Sequence, residues 1–101
     1  MVKIAIVGFG TVGESVARIL VEDPREELSL SMICNRNVDR KKVDWIPSHV
    51  VWTEDFDMVI ESDVDVVVEL VGGMHPAVDW ILAALTAGKA VVTANKQVIA
   101  E

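Results

Sequence analysis

The chain has 101 residues, 51% hydrophobic and 25% charged, which suits one domain with its own core and is unlike a disordered tract or a fibre. Sixteen acids against nine bases give a net charge of −7, a field that repels phosphates and makes generic nucleic-acid binding a poor fit, so any anion site has to be local. The lone cysteine, Cys34, cannot form an internal disulfide and no Cys/His spacing suggests zinc; a reducing, cytoplasmic setting is expected.

The opening MVKIAIVGFG is unlike a signal peptide, and no apolar stretch approaches the ~20 residues of a membrane span. Val2 to Val7 is a short, β-branched apolar run closed by Gly8, the pattern of a buried strand. Val12, Val16 and Leu20, with Ala17 and Val21 alongside, predict a helix whose apolar stripe ends before Asp23 and Pro24. A second strand is expected from about Leu28 to Cys34, followed by a polar and basic loop or short helix, NRNVDRKK.

Val50 to Thr53 reads as a brief third strand and Glu54 to Ser62 as a helix with Phe56, Val59 and Ile60 inward. Asp63 to Val71 reads as a further strand ending in Gly72 and Gly73. Pro76 suits a helix start, Ala77, Trp80, Ile81, Ala84 and Leu85 its buried face, and Gly88 its C-terminal cap. Ala90 to Thr93 makes a last short strand, after which Asn95 can cap a final helical turn. Strands alternating with helices at this spacing predict a mostly parallel open sheet with helices on both faces, and a last strand without a covering neighbour.

Between the first strand and helix lies G-F-G-T-V-G. Gly8 allows the tight turn, Gly10 a close approach of backbone to a pyrophosphate, and Gly13 close packing of helix on strand, while the helix N-terminus offers N–H groups to the anion. This context selects a dinucleotide. A P-loop lacks support because the Gly-Lys-Ser/Thr ending is missing. The acid that usually holds the adenosine ribose lies about 20 residues further on, at the end of the second strand. Here Asn35 takes that place without charge and Arg36 follows, which removes repulsion toward a 2′-phosphate and adds a fork of donors. Arg40, Lys41 and Lys42 strengthen the local positive field, so NADP is the expected cofactor, with NAD possible. Gly72, Gly73, Thr93 and Asn95 follow predicted strands, where α/β sheets bind ligands, and Gly72 joins the cofactor-binding candidates.

The stretches D-V-D-V-V-V-E-L-V-G-G, H-P-A-V-D-W-I-L-A-A-L-T-A-G-K and A-V-V-T-A-N-K, with V-G-F-G-T-V-G at the front, closely resemble the N-terminal part of homoserine dehydrogenase. E-L-V-G-G and V-V-T-A-N-K carry the resemblance more specifically than the glycines do. It implies a Rossmann-type doubly wound α/β fold, incomplete at its C-terminal edge, and reversible hydride transfer between NADPH or NADH and L-aspartate 4-semialdehyde, giving L-homoserine for threonine and methionine synthesis. By that resemblance Gly8, Gly10, Thr11, Val12 and Gly13 would hold the pyrophosphate and Arg36 the adenosine end, while Thr93 and Lys96 would border the nicotinamide and substrate. Lys96 is the catalytic candidate, as proton donor to a carbonyl oxygen or as a fixed charge.

The resemblance spans all 101 residues but only the front of a family chain. The sequence is therefore expected to be a truncated cofactor domain whose substrate domain is absent, inactive alone and homo-oligomeric only as the full-length protein. Another semialdehyde or amino-acid dehydrogenase sharing this front half, and a stand-alone dinucleotide-sensing module, are the competing readings. The acids Glu54, Asp55, Asp57, Glu61, Asp63 and Asp65 are expected to be solvated and not a metal site. Trp45, Trp52 and Trp80 are expected in core or lid packing, Cys34 in buried packing, and His49 and His75 without an assigned role.

Overall fold

The computed structural model describes residues 2–22, 27–36, 38, 42–71 and 77–93. Its elements in chain order are β1 (Val2–Val7), α1 (Thr11–Glu22), β2 (Leu28–Cys34), β3 (Val51–Thr53), α2 (Phe56–Glu61), β4 (Val66–Glu69), α3 (Ala77–Thr86) and β5 (Ala90–Thr93). The strands form a parallel sheet in the order β3-β2-β1-β4-β5. From β1 the chain builds outward through β2 and β3, then returns to the other side of β1 for β4 and β5. The strand order reverses between β1 and β4, and it is outside the carboxyl ends of the strands at such a switch point that open α/β sheets bind ligands.

Each face of the sheet has its own core. On one face Ile6, Leu30 and Ile33 pack with Phe9 and with Ala17 of α1, backed by Val16, Leu20, Val21 and the loop residues Trp45, Ile46 and Val50. On the other, Ala5, Val7, Met32, Cys34 and Val67 meet Phe56 and Val59 of α2 and Ala84 of α3. Aromatic contacts tie each layer: Phe9 meets Trp52 edge-on at 5.2 Å, and Phe56 stacks on Trp80 at 4.7 Å. The tryptophans thus serve packing, as their scatter along the chain suggested.

The β1–β2 register slips once: Ile4 pairs with Leu30 but Ala5 pairs with Met32, so Ser31 is the extra residue of a bulge. The slip places Leu30 and Ile33, three residues apart, on the α1 face. Beyond it the ladders run in step, and Thr53, Cys34, Val7, Glu69 and Thr93 form one lateral row across the sheet's carboxyl end. Side chains of such a row share a face.

Strands β1, β2 and β5 fall where the sequence predicts them. Regular β4 is shorter than the expected Asp63–Val71, although Asp65 N donating to Lys3 O and Leu70 N donating to Val7 O extend the backbone pairing at both ends. Helix α2 starts two residues later than expected because Asp55 caps it, its side chain accepting from Asp57 N at 2.9 Å. Two stripe assignments change. Val12 is 55% exposed and Leu85 52% exposed, so the packing covers only part of each apolar stripe. Helix α3 ends as Gly88 suggests, with φ +83°, Gly88 N donating to Leu85 O and Lys89 N to Ala84 O, the paired bonds of a Schellman cap. Pro76 and Asn95 lie outside the described residues.

The amino-end edge of the sheet is held by polar contacts. Lys3 Nζ pairs with Asp63, and Lys3 N donates to Asp65 Oδ2 at 2.9 Å. Buried Lys89 donates to the carbonyl oxygens of Ser62 at 2.8 Å and Val64 at 2.9 Å. The acids expected to be solvated are exposed, and Asp63 and Asp65 also have these structural partners. Among the described residues no group of three or more His, Cys, Asp or Glu could hold a metal ion, and no helix is long and apolar enough to cross a membrane.

Candidate functional site

The carboxyl end of β1 runs into the glycine turn, and each glycine meets a different constraint. Gly8 has φ +100°, and a Cβ there would lie 2.9 Å from the Leu70 carbonyl carbon. A Cβ on Gly13 would lie 2.1 Å from the Gly8 carbonyl oxygen, so only glycine lets α1 sit this close to the turn. Gly10 differs, since nothing lies within 4 Å of its would-be Cβ. It is exposed, as are Thr11 and Val12. The amides of Thr11, Val12 and Gly13 precede the first intrahelical bond, from Glu14 N to Gly10 O at 2.9 Å. Open space in front of helix N–H donors is what a pyrophosphate requires, and the residues present fit one.

Asn35 braces this turn from β2. Its Oδ1 accepts from Phe9 N at 2.8 Å and its Nδ2 donates to Arg36 O at 2.6 Å, while Gly8 N donates to Cys34 O. Phe9 N is a fixed donor, so it settles which end of the amide faces the turn. The side chain expected at the adenosine end thus also sets the geometry of the phosphate end. Arg36 and Lys42 are exposed; Arg40 and Lys41 lie outside the described residues.

On the other side of β1 the sheet end carries Glu69 and Thr93. Glu69 is 1% exposed; its Oε2 accepts from Val71 N at 2.6 Å and its Oε1 from Thr93 Oγ1 at 2.9 Å. Glu69 was not singled out from sequence, although an acid in an otherwise apolar central strand is a signal, because such a strand is covered on both faces. Gly72, Gly73, His75 and Lys96 lie outside the described residues. Cys34 is buried at the end of β2; burial, with a smaller contribution from the Asp55 charge, pushes its thiol up to about 11, the opposite of an activated nucleophile.

A bracing amide, a three-glycine turn and a helix N-terminus at the switch point are an arrangement that a nucleotide would fit, and kinship bears on it. The family model for the homoserine dehydrogenase NAD-binding domain matches residues 8–101. The chain belongs to this family. Homoserine dehydrogenase of Corynebacterium glutamicum is 39% identical over 98% of the chain and 24% of its own length. The solved homoserine dehydrogenase of S. aureus superposes with a TM-score of 0.83 at 36% identity, over 94% of this chain and 25% of that one. A scyllo-inositol dehydrogenase from Lactobacillus casei, solved with NAD(H) and scyllo-inositol, superposes with a TM-score of 0.69 at 26% identity, over 92% of this chain and 27% of that one. The chain thus spans about a quarter of the length of the homoserine dehydrogenases it matches, and as a member of the NAD-binding family its cofactor is a nicotinamide dinucleotide.

Proposed function

We propose that the chain is the cofactor-binding part of an NADP-preferring homoserine dehydrogenase, which reduces L-aspartate 4-semialdehyde to L-homoserine on the route to threonine and methionine. The observation that carries this reading is the glycine turn at the switch point, open in front of Gly10 and closed behind Gly8 and Gly13, in a chain of this family. The L. casei neighbour, solved with NAD(H), supports a dinucleotide on this fold.

The amides of Thr11, Val12 and Gly13 would meet the pyrophosphate, with Gly10 making room for it and Gly8 letting the turn close against Leu70. Arg36, helped by Lys42, would take a 2′-phosphate beside an uncharged Asn35. Gly72 and Thr93 would border the nicotinamide half. The bound cofactor supplies the hydride, and Lys96 would give a proton to the substrate carbonyl oxygen or hold a charged group in place. Substrate would be held by parts of the enzyme beyond these residues, in a cytoplasmic homo-oligomer.

Titration of the chain with NADPH and NADH, read by tryptophan fluorescence, tests the cofactor assignment. NADPH is expected to bind more tightly. Arg36→Asp should weaken NADPH about 10–100-fold, the worth of a charge-assisted contact, and NADH by less than about threefold. Equal losses for the two cofactors, or binding of neither, would sink it.

A further inference from the structure

Glu69 is the most deeply buried charged side chain among the described residues, at 1% exposure, and the cofactor reading gives it no task. It is not needed to join β4 to β5, because their backbones already pair Glu69 with Thr93. What its carboxylate does is take the Thr93 hydroxyl hydrogen on Oε1 while the Val71 amide holds Oε2. A carboxylate only accepts, and a hydroxyl has one hydrogen to give. With that hydrogen committed to Glu69, Thr93 Oγ1 presents lone pairs alone to any further partner.

We propose that Glu69 is a positioning residue that sets the polarity of Thr93, making its hydroxyl an acceptor for the carboxamide NH2 of the nicotinamide ring. This rests on the reading that the nicotinamide half of the cofactor lies over the ends of β4 and β5. The lateral row supports that placement. Val7, at the end of β1, is flanked by Cys34 toward the adenosine side and by Glu69 and then Thr93 on the other, and a dinucleotide spans the switch point with one half on each side. The one hydroxyl hydrogen then decides which end of the carboxamide faces the sheet.

The test compares NADP+ with its 3-acetylpyridine analogue, in which a methyl replaces the amide nitrogen, by calorimetric titration of the full native polypeptide that carries these residues. The unmodified protein is expected to bind NADP+ about 3–10 times more tightly than the analogue, the worth of one neutral hydrogen bond. Thr93→Val should bring that ratio to about 1. Glu69→Gln is nearly isosteric and more telling. The Val71 amide still needs an oxygen, so the glutamine turns Oε1 to it, leaves Nε2 donating to Thr93, and drives the hydroxyl hydrogen outward. The ratio should then fall to about 1 or below, and Thr93→Val added to Glu69→Gln should restore the value of Thr93→Val alone.

A Glu69 that merely packs would weaken both ligands alike and leave the ratio unchanged, which overturns the proposal, as does an unmodified ratio near 1. If NADP+ binds but Thr93→Val leaves the ratio intact, the placing of Thr93 at the ring is wrong and the proposal falls with it. If NADP+ does not bind the unmodified protein, the cofactor reading itself has failed and the proposal with it.

Discussion

Gly10 and Gly13 are three residues apart, yet a methyl group at each has opposite consequences. At Gly13 it would meet the Gly8 carbonyl oxygen at 2.1 Å and force α1 away from the turn, so Gly13→Ala should cost about 1–3 kcal/mol in urea unfolding and lose dinucleotide binding. At Gly10 it meets nothing within 4 Å, so Gly10→Ala should unfold like the parent and still bind NADPH at least tenfold more weakly. A stable Gly10→Ala variant with unchanged affinity would remove the pyrophosphate from this turn. Cys34 gives a residue-scale test of pH dependence. Its thiol ionises near 11 in the fold against an ordinary 9.0, so between those values the folded chain keeps a proton that the unfolded chain has lost. Stability is full below pH 9 and should fall by up to about 1.4 kcal/mol per pH unit up to 11. Comparing urea melts with Cys34→Ala over that range isolates the effect, because the variant lacks the extra slope; parallel curves would refute it.

Among the elements, α3 is tied to the rest of the fold most specifically at its end, where Lys89 leaves the Schellman cap and donates to the carbonyls of Ser62 and Val64. Lys89→Met keeps the stem but strips two carbonyls of a partner. It should lower stability by about 1–3 kcal/mol while leaving NADPH affinity unchanged, since these contacts lie at the edge away from the glycine turn. A large change in affinity would show that the two edges are coupled. The elements also show what can be read from residues. Strands β1, β2 and β5 are short apolar runs closed by glycine or polar residues, and Gly88 announces its cap, so these were legible. Exposure of Val12 and Leu85 was not, because periodicity gives the apolar face of a helix but not how much of it a neighbour covers. The glycines announced a tight turn with α1 packed close against it. Glu69 showed in the sequence only as an acid in an otherwise apolar strand; its bond to Thr93 exists only once β4 and β5 lie side by side.

The strands that carry both halves of the proposed cofactor site belong to one sheet, so a ligand that spans them should stabilise all of it. Binding to the folded chain alone at 100 times Kd adds about 2.7 kcal/mol, which for a domain of this size raises Tm by roughly 10–20 °C. Thermal melts with NADPH should show that rise, and Arg36→Asp, binding about 10–100-fold more weakly, should lose about half or more of it at the same NADPH concentration; an undiminished rise in the variant would place the source of affinity elsewhere. The bulge at Ser31 matters at this scale as well. If Ser31 instead paired with Ala5 and the ladder ran on without the bulge, Val7 would stand beside Ile33, Cys34 would turn to the α1 face, and the brace to Phe9 N would fall to another side chain. Which residue reaches the nucleotide is therefore a matter of counting along β2 as much as of chemistry. A slip of one residue in the pairing of β2 on β1 would leave every residue type in the chain and still hand the recognition task to the wrong one.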